Sequence, residues 1–193
     1  MDERRKHPRR HVEAACELVR MAVDSYKDKT KDTDNPKGKA PKEVFIHGKV
    51  KFNRDEWRGF EEGVGSDTNI VGIKIRDDAS LKIYRKGDNP VLRCTAYVRD
   101  DRNAFLWTRG WVPRLRTYPG REVPNPLSIE ICQGVASIET VLTDILALTK
   151  LNYNACVFSD GNPITLKFAD AVGEVLTAGP IHGIPPLPFQ YYI

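Results

Sequence analysis

Four arginines, Arg109, Arg114, Arg116 and Arg121, crowd one short stretch that also holds Trp111 and Tyr118. A guanidinium presents a rigid, planar fork of donors that matches phosphate oxygens, and clustered cations release the counterions condensed on a nucleic-acid backbone. These residue types point to backbone contact, with a solvated loop that binds nothing as the alternative. A second polar set, Asn152, Asn154, Ser159, Asn162 and Lys167, lies nearer the C-terminus. Short polar groups beside a helix N-terminus are natural phosphate partners. Asn162 can equally be a plain helix cap, and Lys167 a solvated lysine on a helix. The cysteines Cys16, Cys94, Cys132 and Cys156 form no Cys-x-x-Cys pair. Neither zinc nor a disulfide framework is expected of them, and three stand in apolar segments, so they read as buried free thiols.

The elements that must carry these groups follow from periodicity. Residues 12–26 put Val12, Ala15, Cys16, Val19, Ala22, Val23 and Tyr26 on one helical face. Residues 28–42, dense in charge with two prolines and a glycine, form a solvated connector. Residues 43–50 make a short apolar strand that breaks at Gly48, of a kind suited to a sheet interior, which calls for neighbouring strands. Asn53 and Glu56 stand at capping-box spacing and open a helix through Trp57 and Phe60, ended by Gly63 or Gly65. Further strands are expected over 69–76, 81–84, 91–99, 104–108 and 127–132, with a turn at residues 100–103. Residues 109–126 are a long loop with four prolines, two glycines and the four arginines; loops of that length in compact domains are functional or disordered. Residues 137–151 form a helix with Ile138, Val141, Leu142, Ile145 and Leu148 or Leu151 inward. Asn162 caps a last helix with Pro163 at its first position, Ile164, Phe168, Val172, Val175 and Leu176 inward, and Gly179-Pro180 as its stop.

The 193 residues suit one α/β layered domain with a real core. An apolar share of 40% against 29% charged fits a folded soluble chain rather than a disordered one. The net charge of +4 favours nucleic acid only weakly. Its distribution says more, because Arg4, Arg5, Lys6, Arg9 and Arg10 add a basic start to the arginine loop. That start is too charged for a signal peptide, and no apolar run approaches the ~20 residues of a membrane span. A cytoplasmic protein with no membrane partner is expected.

Several stretches, in this order and at these spacings, resemble the C-terminal end of the PIWI domain of Argonaute proteins of prokaryotic type. They are Phe45-Ile46-His47-Gly48 with Phe52 and Glu56, the run from Phe105 through Arg109 to Trp111, Tyr118-Pro119-Gly120, Pro126-Leu127, the run from Thr149 to Asn154, the run from Asn162 to Asp170, and the uncharged tail from Phe189 to Ile193. Residues 43–193 look like the latter half of that domain, and residues 12–26 fit the element before it. The resemblance implies an RNase H-like mixed sheet flanked by helices and lacking its first strands. Residues 1–193 are then a partial PIWI domain, with a basic segment, helix and linker over 1–42 and the guide-binding part and tail over 43–193.

The same resemblance implies that the chain binds a guide RNA or DNA paired to a complementary target. A second polypeptide would supply the rest of the PIWI domain and a MID-type domain. It places Arg109 toward the nucleic-acid channel and Lys167 at a position that contacts the guide backbone. It brings the Ile193 carboxylate into the pocket for the guide's 5′-phosphate, where it can help hold a divalent cation such as Mg²⁺. The apolar tail favours such burial. Family members that cleave use carboxylates around two metals. The first of these belongs to a strand that precedes this chain, His47 takes the place of another, and Asp170 matches the last. Magnesium prefers oxygen ligands in octahedral geometry, so His47 and Asp170 are read as vestiges and cleavage is not expected. His47 is then a core-edge imidazole or a contact to the scissile region. A metal-dependent nuclease completed by a partner's carboxylates, and a scaffold subunit that binds no nucleic acid, are the competing readings. Silencing or host defence would follow from an associated effector or from occupancy.

Overall fold

A computed structural model describes residues 7–118, 122–151 and 161–177, with the side chains of residues 7–11, Val175 and Leu176 outside the description. The elements are α1 (His7–Lys29), β1 (Glu43–Gly48), α2 (Arg54–Val64), β2 (Asn69–Asp77), β3 (Thr95–Asp100), β4 (Asn103–Trp107), a 3-10 turn (Pro113–Leu115), β5 (Leu127–Gln133), α3 (Ile138–Lys150) and α4 (Ile164–Thr177). The strands make one mixed five-stranded sheet in the order β1-β2-β5-β4-β3. β1 runs parallel to β2, with Glu43 opposite Asn69 and Gly48 opposite Lys74, while β3–β4 and β4–β5 are antiparallel. The α/β reading of the sequence holds. The chain divides into two compact units, one of residues 1–74 and 131–136, the other of residues 75–130 and 137–193.

In the first unit, Ala15, Val19 and Val23 of α1 meet Trp57, Phe60 and Val64 of α2, with Val44, Ile46, Phe52 and Ile70 packed against them. The face foreseen for α1 is narrower than its sequence pattern, since Ala22 and Tyr26 are exposed. The capping box forms: Glu56 N donates to Asn53 Oδ1 at 2.8 Å, and Asn53 N donates to Glu56 Oε2 at 3.1 Å. Gly65 ends the helix. The two helices approach backbone to backbone through glycines. A Cβ on Gly59 would come within 2.9 Å of the Ala15 Cβ, and one on Gly63 within 2.5 Å of the Cys16 carbonyl oxygen. Gly63→Val is therefore expected to cost about 1–3 kcal/mol by overpacking, read as a lower urea midpoint at unchanged slope. A stability equal to wild type would show that α1 and α2 can separate freely.

β1 is the end strand of the order, and its residues are half-buried or exposed. Its apolar run calls for a neighbour along the free edge, and the described residues supply none.

In the second unit, α3 contacts β4 and α4, and the buried residues include Leu106, Trp107, Leu127, Ile129, Val141 and Ile145. Two expected strands are corrected. Residues 81–84 form no strand; Lys82 Nζ there donates to Val123 O at 3.0 Å and also to Asn125 Oδ1, tying one loop to another. Residues 91–94 lead into β3 only after Cys94, whose φ of +74° places it in the left-handed region and breaks the extended run. At the end of α3 the expected inward place falls to Thr149, which is fully buried, while Leu148 is half-buried and Leu151, just past the helix, is 60% exposed. The Thr149 hydroxyl donates to Leu146 O at 2.7 Å, which lets a polar residue take the inward place. α4 begins one residue later than expected. Lys167 N donates to Pro163 O at 3.2 Å, so Pro163 holds the cap position and Asn162 precedes it. Leu166 is buried on α4, whereas Ile164, Phe168 and Val172 are half-buried. The expected stop at Gly179-Pro180 lies outside the described residues. Cys16 and Cys132 are half-buried and Cys94 is exposed, all three as free thiols, so the expected full burial is not found. Cys156 is outside the description. Among the described residues no helix is long and apolar enough to cross a membrane.

Candidate nucleic-acid interface

The arginine-bearing segment starts at a fixed point. Trp107, the last residue of β4, is wholly buried, and its Nε1 donates to Pro124 O at 3.1 Å. Thr108 is buried beside it, and the next side chain, Arg109, is exposed. Gly110 then passes so close to residues 91–93 that a Cβ there would lie 2.7 Å from Arg93 N. Two backbone bonds lock the crossing: Trp111 N donates to Val91 O at 2.9 Å and Arg93 N to Trp111 O at 3.0 Å. The main chain on both sides of Arg109 is thus held while its side chain reaches outward.

Beyond it, residues 112–117 close into a knuckle. Val112 N donates to Thr117 O at 3.0 Å, Leu115 N to Val112 O at 3.1 Å and Arg116 N to Pro113 O at 3.1 Å. Arg114 and Arg116 both project from it into solvent. Arg116 adopts φ +48°, a left-handed conformation uncommon for a side chain of this size. Tyr118 follows, its hydroxyl donating to Glu122 O at 2.7 Å. Burial raises the Tyr118 pKa, and the positive charge of Arg109 opposes that rise by favouring the phenolate.

Arg109 also meets the start of α4. Gly161 has φ +90°, and a Cβ on it would stand 2.6 Å from Arg109 Nε and 2.9 Å from Thr108 Oγ1. The guanidinium lies over bare glycine backbone, three residues before α4 begins. The first amides of that helix lack intrahelical acceptors and carry its partial positive charge. An arginine fork and a helix N-terminus converge, which is a chemistry for anions.

Of the residues read from the sequence, this brings Arg109 to the segment that holds Asn162, sets Arg114 and Arg116 on the adjoining knuckle, and leaves Lys167 exposed in the first turn of α4. Arg121, Asn152, Asn154, Ser159 and Ile193 lie outside the described residues. His47 is half-buried near the end of β1, opposite Ile73, in the first unit. Asp170 is exposed on α4 in the second. Among the described residues, no three His, Cys, Asp or Glu side chains form a group that could hold a metal ion. Sequence reasoning missed Gly110 and Gly161. Their neighbours mark turns, but nothing in a turn signal tells which side chain will lie across it.

No protein-family model and no curated protein matches this chain. Solved structures do. The Argonaute of Clostridium butyricum, bound to a guide DNA and a 19-mer target DNA, superposes with a TM-score of 0.60 at 22% identity over 83% of this chain. The Argonaute of Marinitoga piezophila, in complex with a 5′ OH guide RNA, gives a TM-score of 0.63 at 15% identity over 87% of this chain. The fold is Argonaute/PIWI-like. A third structure, Aa-Ago with externally bound siRNA, agrees, with a TM-score of 0.57 at 16% identity over 92% of this chain. The chain spans only 20–23% of the length of these Argonautes, so its Argonaute-like sheet and helices correspond to a fragment of each.

Proposed function

We propose that this chain is the nucleic-acid-holding PIWI portion of a catalytically inactive, prokaryotic-type Argonaute, and that it grips the backbone of a guide paired to its target. The observation that carries the reading is Arg109 laid over Gly161 at the start of α4, with Arg114 and Arg116 on the adjoining knuckle. The Argonaute-like fold supports it, since two of these neighbours are bound to guide DNA with target DNA and to guide RNA. Contacts of this kind read duplex shape and phosphate, and leave sequence to base pairing. Fully paired guide–target duplexes of unrelated sequence, without single-stranded ends, should accordingly bind with equal affinity in a fluorescence-anisotropy titration. A strong sequence preference within the paired region, or no binding, would overturn the reading.

In this account the remaining PIWI strands and a MID-type domain complete the assembly, which works in the cytoplasm by occupancy or through an effector. It does not cleave, because the His47 imidazole cannot stand in for a carboxylate that bridges two magnesium ions. Target cleavage with Mg²⁺ or Mn²⁺ that disappears on Asp170→Ala would establish the nuclease reading instead. The described residues hold no group of three His, Cys, Asp or Glu side chains fit for a metal ion. A divalent ion at the guide 5′-phosphate would draw on the Ile193 carboxylate and the phosphate itself. Extending the chain past Ile193 would move that carboxylate away, and is expected to weaken a 5′-phosphorylated guide about tenfold, or ~1.4 kcal/mol, while sparing a 5′-hydroxyl guide. Chelation should mimic the extension. An extended protein that keeps its full preference for the phosphate would reduce the tail to packing.

A further inference from the structure

A recess of about 300 Å³ opens in the second unit beside the arginine segment, at the small end of the ligand-site range. Ile83 and Val123 line it with apolar surface, and Tyr84 and Tyr118 supply aromatic surface. Tyr84 is 78% exposed, an aromatic face left in water that gains by being covered. Tyr118 is held by its bond to Glu122 O. The two sides of the recess are fastened together, because Lys82, next to Ile83, donates to Val123 O at 3.0 Å and to Asn125 Oδ1. Arg85, Asp88 and Asn89 complete the lining with donors and acceptors.

The charges decide what fits. Arg85, Asp88 and Glu122 all line the recess. A phosphate would meet two acidic residues, and a lysine or arginine of a partner would meet the like charge of Arg85 beside them. A planar, uncharged group with donors and acceptors on its edge meets neither objection. We propose that this recess takes one unstacked nucleobase, stacked on Tyr84 and read at its edge by Asn89 and its polar neighbours, from the nucleic acid whose backbone lies on Arg109. The inference rests on the proposed function, and it adds a base-contacting site to an otherwise sequence-blind surface. Tyr118 lines the recess and directly follows the knuckle that carries Arg114 and Arg116, so backbone cluster and recess adjoin. Unstacked bases are recognised in this way, between aromatic or guanidinium planes with their edges hydrogen-bonded.

The test is an abasic scan. Guide–target duplexes with single-stranded target ends, each lacking one base, are titrated against wild type and Tyr84→Ala. Tyr84 is exposed, so its loss should not disturb folding. One position is expected to lose about tenfold in affinity when its base is removed, the range of base–aromatic stacking. Tyr84→Ala should cost the same with the base present and nothing more without it, at an unchanged salt slope. Asn89→Ala should alter which base is favoured there. If binding depends on Arg109 while no position shows a Tyr84-dependent penalty, the recess is not a base pocket and the backbone interface stands. If no duplex binds, the proposed function fails. Free nucleosides titrated by NMR then judge the recess by itself: shifts lost in Tyr84→Ala support it, and their absence overturns it.

Discussion

Trp107→Ala is expected to cost about 3–5 kcal/mol of folding stability, the range for emptying a buried aromatic site. The indole is wholly buried at the end of β4, where it pairs across the hairpin with Thr95. Its Nε1 donates to Pro124 O, so the cavity would come with an orphaned carbonyl. Trp107→Phe separates the two effects. It keeps most of the volume and should cost about 1–3 kcal/mol through the unpaired carbonyl alone. Because that bond ties the far end of the arginine loop to the strand beneath Arg109, the phenylalanine variant should also bind duplex less tightly while still folding. Urea midpoints at constant slope give the stabilities. A loss under ~1 kcal/mol for alanine would mean that Trp107 is not the pin of this region.

Arg109→Ala should weaken duplex binding by about 1.5–3 kcal/mol, the worth of hydrogen bonds to a charged group, or roughly 10- to 100-fold. Arg109→Lys should fall between, because an ammonium keeps the charge and loses the fork. Gly161→Ala offers an independent approach to the same contact. The added Cβ would stand 2.6 Å from Arg109 Nε, so the guanidinium must leave its seat. Both substitutions act on one contact, and the double variant should lose little more than Arg109→Ala alone. Fully additive losses would show that Gly161 does not seat Arg109. The loss should be the same for every duplex sequence, since phosphate carries no sequence information.

How far the residues themselves announced this arrangement depends on the kind of signal. The capping box at Asn53 and Glu56, the periodic face of α1 and the helix over Ile138–Lys150 are local patterns, and local patterns survive into the fold. The apolar run of β1 called for neighbouring strands, and in this chain only β2 pairs with it, leaving it at the end of the sheet. Residues 81–84 have strand-like composition, yet tertiary bonds from Lys82 hold them as a loop. Thr149, rather than Leu148 or Leu151, is the fully buried residue there, because a hydroxyl can satisfy itself on the preceding turn. For the site, residue type singled out Arg109, and the resemblance to Argonautes gave it a role. Its seat on Gly161 joins residues far apart in the chain, and such a pairing leaves no mark in spacing. The Tyr84 recess was invisible for the same reason.

The central claim is that the arginine segment holds phosphate, and the salt dependence of binding tests it most directly. Duplex affinity is measured across a salt series for wild type and for a variant with Arg109, Arg114 and Arg116 all changed to Ala. Each phosphate contact contributes about 0.9 to the slope of log affinity against log salt, so the triple variant should be flatter by about 2.7. An unchanged slope, even with weaker binding, would contradict the account, because the arginines would then be releasing no counterions from a backbone.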